Sequence, residues 1–568
     1  MIIGLDVGGT HTDVVLIGED SILKHAKVPT DHSNLFECVR TALDMVTKDV
    51  PSQKIRRAVL STTLTTNAIA EGKLPGTGMI VSAGPGIDPA AFRTGPFYST
   101  VSGSIDHRGR EVKPIEPREI ETIATRFLSQ GVRQVGVVSK FSIRNPKHEI
   151  KIAEILGRSF DNIVLGHRIS GNLNFPRRIA TAYLNAAVHP IHKHFFEAVR
   201  DSLRKKGLDI PIFVLKADGG TMSLDASLDA PGQTILSGPA ASVMGSLLFA
   251  DEAEDTLVLD IGGTTTDMAV LVRRIPLLEP LGGEIGGFKT LIRSLRTQSI
   301  GLGGDSVVRV VDGELKIGPD RQGPAMAYGG PQPTPTDALF VLGKARGGDV
   351  EASRLGLEPI AARLRLSLEE TADRVFDLAC RKILSAAEKM IAGINSKPVY
   401  TVRELLSGYK VEPKQILVLG GPAPFFAFRL AQLTSLNVHA VPLWHVANAI
   451  GAGLAKSTSE VALFADTERG MAVAPEEGYF QQVGRDFNRE KTIALAFDLL
   501  RKKSLKAGAE ESELEMEVVE DIQFNMVRDF HTAGKNIRVK VQVKPGLIGR
   551  YREIADSIFN YCPLPGTV

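Results

Sequence analysis

The chain opens with two short apolar runs that are separated by a glycine turn. Residues 2–7 predict a buried strand, and residues 12–17 predict a second strand after the turn at Gly8-Gly9. Two such runs joined by a turn of this kind indicate a β-hairpin. Over residues 33–48 the apolar positions recur every three or four residues, which predicts a helix.

The hydrophobic period continues to change along the chain in a way that predicts α/β units. Helical spacing at 116–130 is followed by a buried run at 132–141, and a long helix or helix pair at 177–206 precedes a short apolar run at 212–215. Strands that alternate with helices in this order are typical of α/β proteins. Residues 301–348 are rich in glycine and proline and predict mainly loops.

The last part of the chain contains a further strand and two further helices. A helix begins after Ser367, which forms a capping-box pattern with Glu370, and its apolar stripe ends near Gly393. A buried strand at 416–419 and a helix of small residues at 446–456 follow. After about residue 470 the chain becomes more charged, which predicts a separate small α+β unit.

Composition excludes several classes of protein. The 568 residues are 43% hydrophobic and 23% charged, the balance of a globular protein. With 67 Lys+Arg against 65 Asp+Glu, the net charge of +2 argues against nucleic acid as a partner. Three scattered cysteines argue against a disulfide framework and favour a reducing, cytoplasmic compartment. Neither a signal peptide nor a membrane span is predicted.

One motif occurs twice. Residues 5–16 read LDVGGTHTDVVL and residues 259–270 read LDIGGTTTDMAV, so L-D-[VI]-G-G-T-x-T-D repeats 254 residues downstream. A match of this length points to two related halves. The residues match neither the G-x-G-x-x-G fingerprint nor the P-loop.

The residue types in this motif suit phosphate and magnesium. Glycines without Cβ let backbone N–H groups approach phosphate oxygens, and threonine hydroxyls add donors. Asp6 and Asp260, at the strand ends, are the expected Mg²⁺-side carboxylates, since Mg²⁺ prefers oxygen ligands and keeps several waters. The expected nucleotide-binding residues in the two turns are Gly8, Gly9, Thr10, Thr12, Gly262, Gly263, Thr264 and Thr266.

Two hairpins around one nucleotide, followed by a strand, a Gly-Gly turn and a helix, resemble the actin/Hsp70/sugar-kinase superfamily. Residues 416–433, ILVLGGPAPFFAFRLAQL, fit the third element with Gly420 and Gly421 at the turn. The helix at 447–456, ANAIGAGLAK, resembles the small-residue helix that closes the second half. Gly303 and Gly304 are expected on a nucleotide-side or substrate-side loop. This resemblance implies duplicated actin-like ATPase (ribonuclease H-like) domains around a nucleotide cleft that binds ATP and Mg²⁺.

Further segments resemble one branch, the hydantoinase A/oxoprolinase family. They are STTLTTNAIAEGK (61–73), ADGGTMSL (217–224), ILSGPAASVMG (235–245) and the glycine-rich stretch at 299–343. The resemblance runs in order from residue 2 to about 456. His11 stands where the family usually has Phe, and Gly303-Gly304-Asp305 departs from its usual G-G-G loop.

The resemblance implies an ATP-dependent hydrolase that opens cyclic amides, working with a hydantoinase B-type partner. A small-molecule kinase, an ATP-dependent carboxylase subunit and a regulatory ATPase stay open as alternatives, as does a homo-oligomer. The same family resemblance also implies three units. They are an N-terminal hydantoinase/oxoprolinase-like domain (1–190), a hydantoinase A-like ATPase domain (191–470) and the C-terminal unit (471–568).

Three carboxylates are the candidates for proton transfer. Asp218, beside Gly219 and Gly220, is expected to face the cleft as a general base. Asp13 and Asp267 follow the two turns. Each could orient water or take a proton, or could instead hydrogen-bond the turn.

Overall fold

The computed structural model describes residues 1–31, 34–396, 409–528, 530–549 and 551–561. The first part of the chain alternates strands with helices, as the apolar periods predict. Its elements are β1 (Ile2–Val7), β2 (His11–Ile17), β3 (Ile22–Pro29), α1 (Leu35–Thr47), β4 (Arg57–Thr62), α2 (Leu64–Ala70), β5 (Thr77–Ser82), β6 (Tyr98–Thr100), β7 (Ser104–Ile105), β8 (Glu111–Lys113), α3 (Pro117–Ser129), β9 (Gln134–Ser139), α4 (Lys147–Leu156), β10 (Asn162–Leu165), α5 (Gly166–Ile169), α6 (Phe175–Lys205), β11 (Ile212–Leu215), β12 (Thr221–Ser223) and α7 (Leu224–Asp229).

The second part repeats this opening and adds long helices. Its elements are α8 (Ser237–Ser246), β13 (Asp255–Ile261), β14 (Thr266–Val272), β15 (Ile275–Pro276), β16 (Glu284–Ile285), β17 (Phe288–Lys289), β18 (Thr297–Ile300), β19 (Val308–Val311), β20 (Glu314–Ile317), α9 (Pro335–Val341), α10 (Val350–Leu364), α11 (Leu368–Asn395), β21 (Pro413–Leu419), α12 (Ala423–Leu433), β22 (Asn437–Ala440) and α13 (Ala447–Leu454). The last elements are β23 (Glu460–Asp466), β24 (Met471–Ala474), β25 (Tyr479–Gln482), α14 (Arg489–Lys506), β26 (Met516–Arg528), β27 (His531–Val543) and α15 (Tyr551–Tyr561).

Two large sheets share one topology. In the first the order is β12-β11-β4-β1-β2-β3, and in the second it is β15-β14-β13-β21-β22, with β18 also pairing with β14. In both, the central strand pairs antiparallel with the next strand and parallel with a later one. The register also repeats, since Asp6 lies opposite Asp13 and Asp260 opposite Asp267. The predicted duplication of an actin-like, ribonuclease H-like unit is confirmed.

Helices α8 and α13 cross between the two sheets. Their alanines pack in one core with Val15 of the first sheet and Val258 of the second. Contact between the backbones is close: a Cβ added to Gly451 would lie 2.3 Å from the carbonyl oxygen of Ala241. Glycine is required there because any side chain would collide with the other helix. The predicted small-residue helix therefore joins the two halves.

A four-stranded parallel sheet, β10-β9-β5-β6, is inserted between β4 and β11. The long helix α6 packs along it and continues to the first large sheet. The expected boundary between residues 190 and 191 falls inside α6. The division at 190 stays a prediction about folding units.

The C-terminal unit is an antiparallel sheet, β25-β24-β23-β27-β26, with α14 packed on one face. The predicted α+β character is confirmed, and the sheet takes its first strand from Glu460 onward, before the expected boundary at 471. That boundary also stays a prediction. Of the three cysteines, Cys38 and Cys380 are free and buried, and Cys562 lies outside the described residues.

Two local patterns compare differently with the structure. The capping box at Ser367 and Glu370 forms with both of its reciprocal hydrogen bonds. By contrast, the segment expected to be mainly loop, 301–348, contains the β19–β20 hairpin and α9. Asp312-Gly313 makes the turn of that hairpin, with φ values of 52° and 78°, and Asp-Gly is a strong hairpin signal. Within the described ranges, no helix is long and apolar enough to cross a membrane.

Candidate functional site

The two glycine turns have the same geometry. The backbone N–H of Gly8 donates to the carbonyl of His11 at 3.0 Å, and that of Gly262 donates to Thr265 at 2.9 Å. Each turn follows a buried central strand, and the same hydrogen bond closes both turns.

The four threonines of the motif divide into two equivalent pairs. Thr10 and Thr264 are exposed at the turns. Thr12 and Thr266 are buried; Thr12 bonds to Thr30 at 3.0 Å, and Thr266 donates to the carbonyl of Leu302 at 2.7 Å. The hydroxyls of Thr10 and Thr264 are thus open to solvent, whereas those of Thr12 and Thr266 are engaged within the fold, and nucleotide binding by all four stays a prediction.

Asp6 and Asp260 meet between the two sheets. Asn448, on α13, donates to Asp260 at 3.3 Å and also hydrogen-bonds Asp6. Ser61 donates to Asp6, and Ser242 donates to Asp260. Burial raises the pKa of both carboxyls, and the charge of Asp260 raises the pKa of Asp6 further. Two acidic groups that share the amide of Asn448 favour a cation between or beside them.

Asp13 and Asp267 lie opposite these residues in the hairpins, but their surroundings differ. Burial raises the pKa of Asp13 to about 7, against the opposing effect of Lys27, whose Nζ contacts the carboxylate at 2.7 and 2.9 Å. Burial and then Asp260 raise the pKa of Asp267 to about 7, where Ser299 supplies a hydrogen bond instead of a cation. Both groups would change protonation near neutral pH.

The remaining predicted glycines gather around the second turn. Gly304 and Asp305 donate their backbone N–H groups to the carbonyls of Gly262 and Gly263 at 2.9 and 2.8 Å. A Cβ on Gly303 would lie 2.5 Å from the Gly262 oxygen, so a side chain is excluded there.

The turn at Gly420 and Gly421 packs on the same place. Gly420 has a φ of 94°, and a Cβ on it would lie 2.2 Å from the carbonyl oxygen of Ile261. Gly421 is exposed, with open space around its Cα. The structure therefore brings the three glycine segments together on one side of the cleft.

Asp218 lies in a different environment from the other predicted carboxylates. It is 1% exposed, accepts hydrogen bonds from Gly220 and Thr458, and pairs with Lys216 at 3.1 Å. Arg293 approaches it to 3.6 Å. Although burial raises its pKa, Lys216 and Arg293 outweigh that effect and bring the pKa to about 2. A carboxylate enclosed in this way is a weak base.

Helix α8 places its N-terminus beside the first half of the cleft. Ser237 donates to the carbonyl of Thr62 at 2.9 Å, and the backbone N–H of Thr62 donates back at 3.2 Å. Thr66 accepts from the backbone of Leu236 at 3.1 Å. These bonds join α8 to the β4–α2 connection and engage the hydroxyls of Ser237 and Thr66.

Several residues at the site were not predicted from the sequence. They are Lys27, Ser61, Ser242, Arg321 and Asn448. Asn448 carried a signal, since it is the one polar side chain in ANAIGAGLA. Lys27 carried no such signal, because a lysine is an ordinary residue on a strand that alternates between exposed and buried positions. Arg321 pairs with Asp305 at 3.1 Å next to the second turn.

The carboxylates of Asp6 and Asp260 fit a magnesium ion that takes its other ligands from water and phosphate. Among the described residues, no group of three or more His, Cys, Asp or Glu forms a metal cage. Two carboxylates, Asp6 and Asp260, with raised pKa values suit an ion that keeps waters and is held partly by phosphates, which is the usual behaviour of Mg²⁺.

The fold is that of the actin-like ATPases, with duplicated domains on the two sides of a cleft. The chain belongs to the hydantoinase/oxoprolinase family. The family profile matches residues 178–461, and the profile of the family's N-terminal region matches residues 2–160.

Relatives of known name have diverged far. The acetophenone carboxylase gamma subunit of Aromatoleum aromaticum is 25% identical over 74% of this chain, which covers 63% of that subunit's length. The caprolactamase subunit alpha of Pseudomonas jessenii is 22% identical over 78% of this chain and 68% of that subunit.

Two solved structures share the fold. A nucleotide-free acetone carboxylase structure, from a study of ATP-dependent acetone carboxylation, has a TM-score of 0.73 at 16% identity and covers 97% of this chain and 88% of that chain. The ATP-dependent caprolactamase of Pseudomonas jessenii has a TM-score of 0.68 at 19% identity, with 96% and 88% covered.

Proposed function

We propose that the chain binds Mg·ATP between its two glycine turns and uses it to activate the carbonyl of a small cyclic amide for ring opening. One observation carries the nucleotide part of this proposal. The two hairpins have the same register on facing sheets, and their acids Asp6 and Asp260 meet at the single amide of Asn448.

The phosphates lie between the turns in this proposal. The Gly8-Gly9 and Gly262-Gly263 turns would face the phosphate oxygens, while the N–H groups of Gly8 and Gly262 stay bonded within their turns. The exposed hydroxyls of Thr10 and Thr264 would add one donor each. The nucleoside would lie against the glycine segments 303–304 and 420–421. Asp6 and Asp260 would hold the hydrated Mg²⁺, which when bound offsets charge on the phosphates.

Proton transfer falls to Asp13 and Asp267 in this scheme. A general acid or base works best with a pKa near the operating pH, and both carboxyls have a pKa of about 7. We assign the acceptance of a proton from water to Asp13, whose carboxylate is paired with Lys27. Asp218 is left out, because its buried partners keep it ionised and enclosed.

Family membership and the named relatives support the reaction class. In ring opening, the γ-phosphoryl group would pass to the amide oxygen as ADP leaves, and water would add its oxygen to the carbonyl carbon. The C–N bond would then break as the nitrogen takes a proton, and a second water would release phosphate from the acyl phosphate. A second candidate, a subunit of an ATP-dependent carboxylase, is favoured by the likeness to the acetophenone and acetone carboxylases. Both candidate reactions activate a carbonyl oxygen. In hydrolysis water then attacks the carbonyl carbon, whereas in carboxylation the activated ketone attacks the carboxyl donor.

We also propose that the chain works with a second, hydantoinase B-type subunit. Two of the relatives are named as subunits of larger enzymes, which supports such an arrangement. Co-purification from the native source, followed by mass spectrometry, checks this part. A chain that migrates alone and is fully active alone would contradict it.

The test measures ATP hydrolysis by the purified chain, with and without the co-purified subunit, in the presence of caprolactam, 5-oxoproline or hydantoin. We expect hydrolysis to rise with at least one cyclic amide, with an equimolar ring-opened product. A ketone with bicarbonate tests the carboxylase, and a stable phosphoester would indicate a kinase. ATP hydrolysis that responds only to a protein client would indicate a regulatory ATPase.

The matched variants are Asp260→Asn and Asp498→Asn. Asp260→Asn should weaken magnesium-dependent nucleotide binding about tenfold or more, since a charge-assisted contact is lost. Asp498 lies on α14 and pairs with the exposed Lys502, so its variant should bind normally. Equal nucleotide binding by both variants would refute the proposed site.

A further inference from the structure

A second cavity lies at the other end of the first large sheet from the cleft. Its volume is about 440 Å³, within the range of small-molecule sites. Residues at the start of β1 and β4 line it together with the segment after α14 and the start of α15. Its walls include Ile2, Glu19, Arg57, Ser512, Glu513 and Ile554, and we call it the basal cavity.

Arg57 brings a buried positive charge to this cavity. It is only 9% exposed, and its guanidinium lies 5.5 Å from the ring centre of Phe213. Its Nε is buried without a hydrogen-bond partner among the described residues. Burial lowers the pKa of Arg57, as expected for a cation removed from water.

Glu513 brings the opposite charge. One of its carboxylate oxygens, Oε2, is buried and has no hydrogen-bond partner in the described part of the chain. Burial raises the pKa of Glu513, and Arg57 partly offsets this, so the two groups sense each other. Both side chains are described, yet no ion pair within 4.0 Å joins Arg57 to Glu513. The cavity therefore holds a cation and an anion that are near each other but not paired, and Glu510 in the same lining raises the pKa of both groups.

Such an arrangement is costly unless something completes it. The buried charge of Arg57 is unfavourable without a close partner, and Glu513, which is partly exposed, makes no ion pair with it. A ligand that carries a negative and a positive group at two ends would satisfy both. Arginine favours carboxylates through paired N–H donors, and glutamate favours ammonium groups.

We propose that the basal cavity binds an amino-acid zwitterion, with its carboxylate on Arg57 and its ammonium group on Glu513. The ligand class follows from these two residues alone. Its source rests on the proposed function: hydrolysis of a lactam leaves one molecule with both a carboxylate and an amine. The ring-opened product of this enzyme would then have the chemistry that the basal cavity recognises.

The experiment is isothermal titration calorimetry on the full chain without ATP. Probes are 6-aminohexanoate and L-glutamate, with hexanoate and hexylamine as single-charge controls. We expect saturable binding of at least one zwitterion, and at least tenfold weaker binding of both controls. Since 6-aminohexanoate and L-glutamate are the ring-opened products of caprolactam and 5-oxoproline, preference for one of them would indicate which cyclic amide supplies the ligand.

Variants locate the binding. Arg57→Met and Glu513→Gln should each weaken it at least tenfold. Glu511→Gln is the matched control, because Glu511 is on the same short segment but pairs with Arg501 outside the cavity. Ser512→Trp, which fills the cavity from its exposed rim, should also abolish binding, and it keeps the test valid if Arg57→Met fails to fold.

Two results would overturn the proposal: the absence of heat with every zwitterion, or binding that Glu513→Gln and Ser512→Trp leave unchanged. Neither result bears on the nucleotide cleft, since ATP is omitted. Conversely, Asp260→Asn should retain zwitterion binding even where it removes nucleotide binding.

Discussion

Replacing Lys27 by methionine tests the acid–base role of Asp13. Lys27 is the cation that contacts this carboxylate, and its side chain is 33% exposed. Methionine keeps most of the length and apolar contact of the lysine stem but removes the charge. In the variant, the pKa of Asp13 is still raised by burial but is no longer lowered by Lys27, so it should rise above about 7.

The size of that rise follows from the contact that is lost. A hydrogen bond to a charged group contributes about 1.5–3 kcal/mol, and one pKa unit corresponds to about 1.4 kcal/mol. Solvent screening at a side chain that is one-third exposed reduces the figure, so we expect a rise of about one pH unit. If ionised Asp13 is the base, activity in the native protein rises through about pH 7, and in the variant it rises about one unit higher.

The assay is the pH dependence of substrate-stimulated ATP hydrolysis between pH 5.5 and 9.5, read as kcat/KM. Lys24→Met is the control, because Lys24 is on the same strand and bonds to the carbonyl of Lys48 away from the cleft. Its profile should match that of the native protein. A profile for Lys27→Met with an unchanged midpoint would refute the assignment of the titrating group to Asp13.

Three further predictions concern single positions. Gly420→Ala should lower the free energy of unfolding by about 1–3 kcal/mol in urea, because its Cβ would meet a carbonyl at 2.2 Å, whereas Gly421→Ala, with open space, should be neutral. Asp218→Asn should lower the melting temperature, since about 3–5 kcal/mol is lost when a buried pair is broken; a normal melting temperature with lost activity would instead make Asp218 a catalytic base. Thr264→Val should raise the Kd for ATP about tenfold in calorimetry, through loss of one hydroxyl donor, while leaving stability unchanged. An unchanged Kd would remove Thr264 from the phosphate site.

Much of the fold could be predicted because its main signal is local and occurs twice. The motif at 5–16 and its copy at 259–270 specify strand, turn and strand, and the structure repeats even their register. The helix after Ser367 was similarly determined by its cap and its apolar stripe. By contrast, the β19–β20 hairpin was missed although Asp312-Gly313 marks it, because surrounding glycines and prolines favoured a loop.

The parts of the site that escaped prediction depend on contacts between distant elements. Asn448 reaches Asp260 across 188 positions of sequence, and no periodicity or spacing encodes such a meeting. The division of the motif threonines has the same origin, since Thr266 is buried by the loop at Leu302. Asp218 was expected at the cleft because of the glycines beside it, but Lys216, Arg293 and Thr458 surround it, and two of these lie far away in sequence.

The crossing of α8 and α13 limits how the two halves can move. Gly451 lies against the backbone of Ala241, and Gly4 of β1 lies against that of Ala449, where an added Cβ would be 2.1 Å from the carbonyl oxygen. Sliding of one layer over another needs side chains that can exchange neighbours, and here main chain rests directly on main chain. We therefore expect any opening and closing around a ligand to be a rotation of the two sheets about α13.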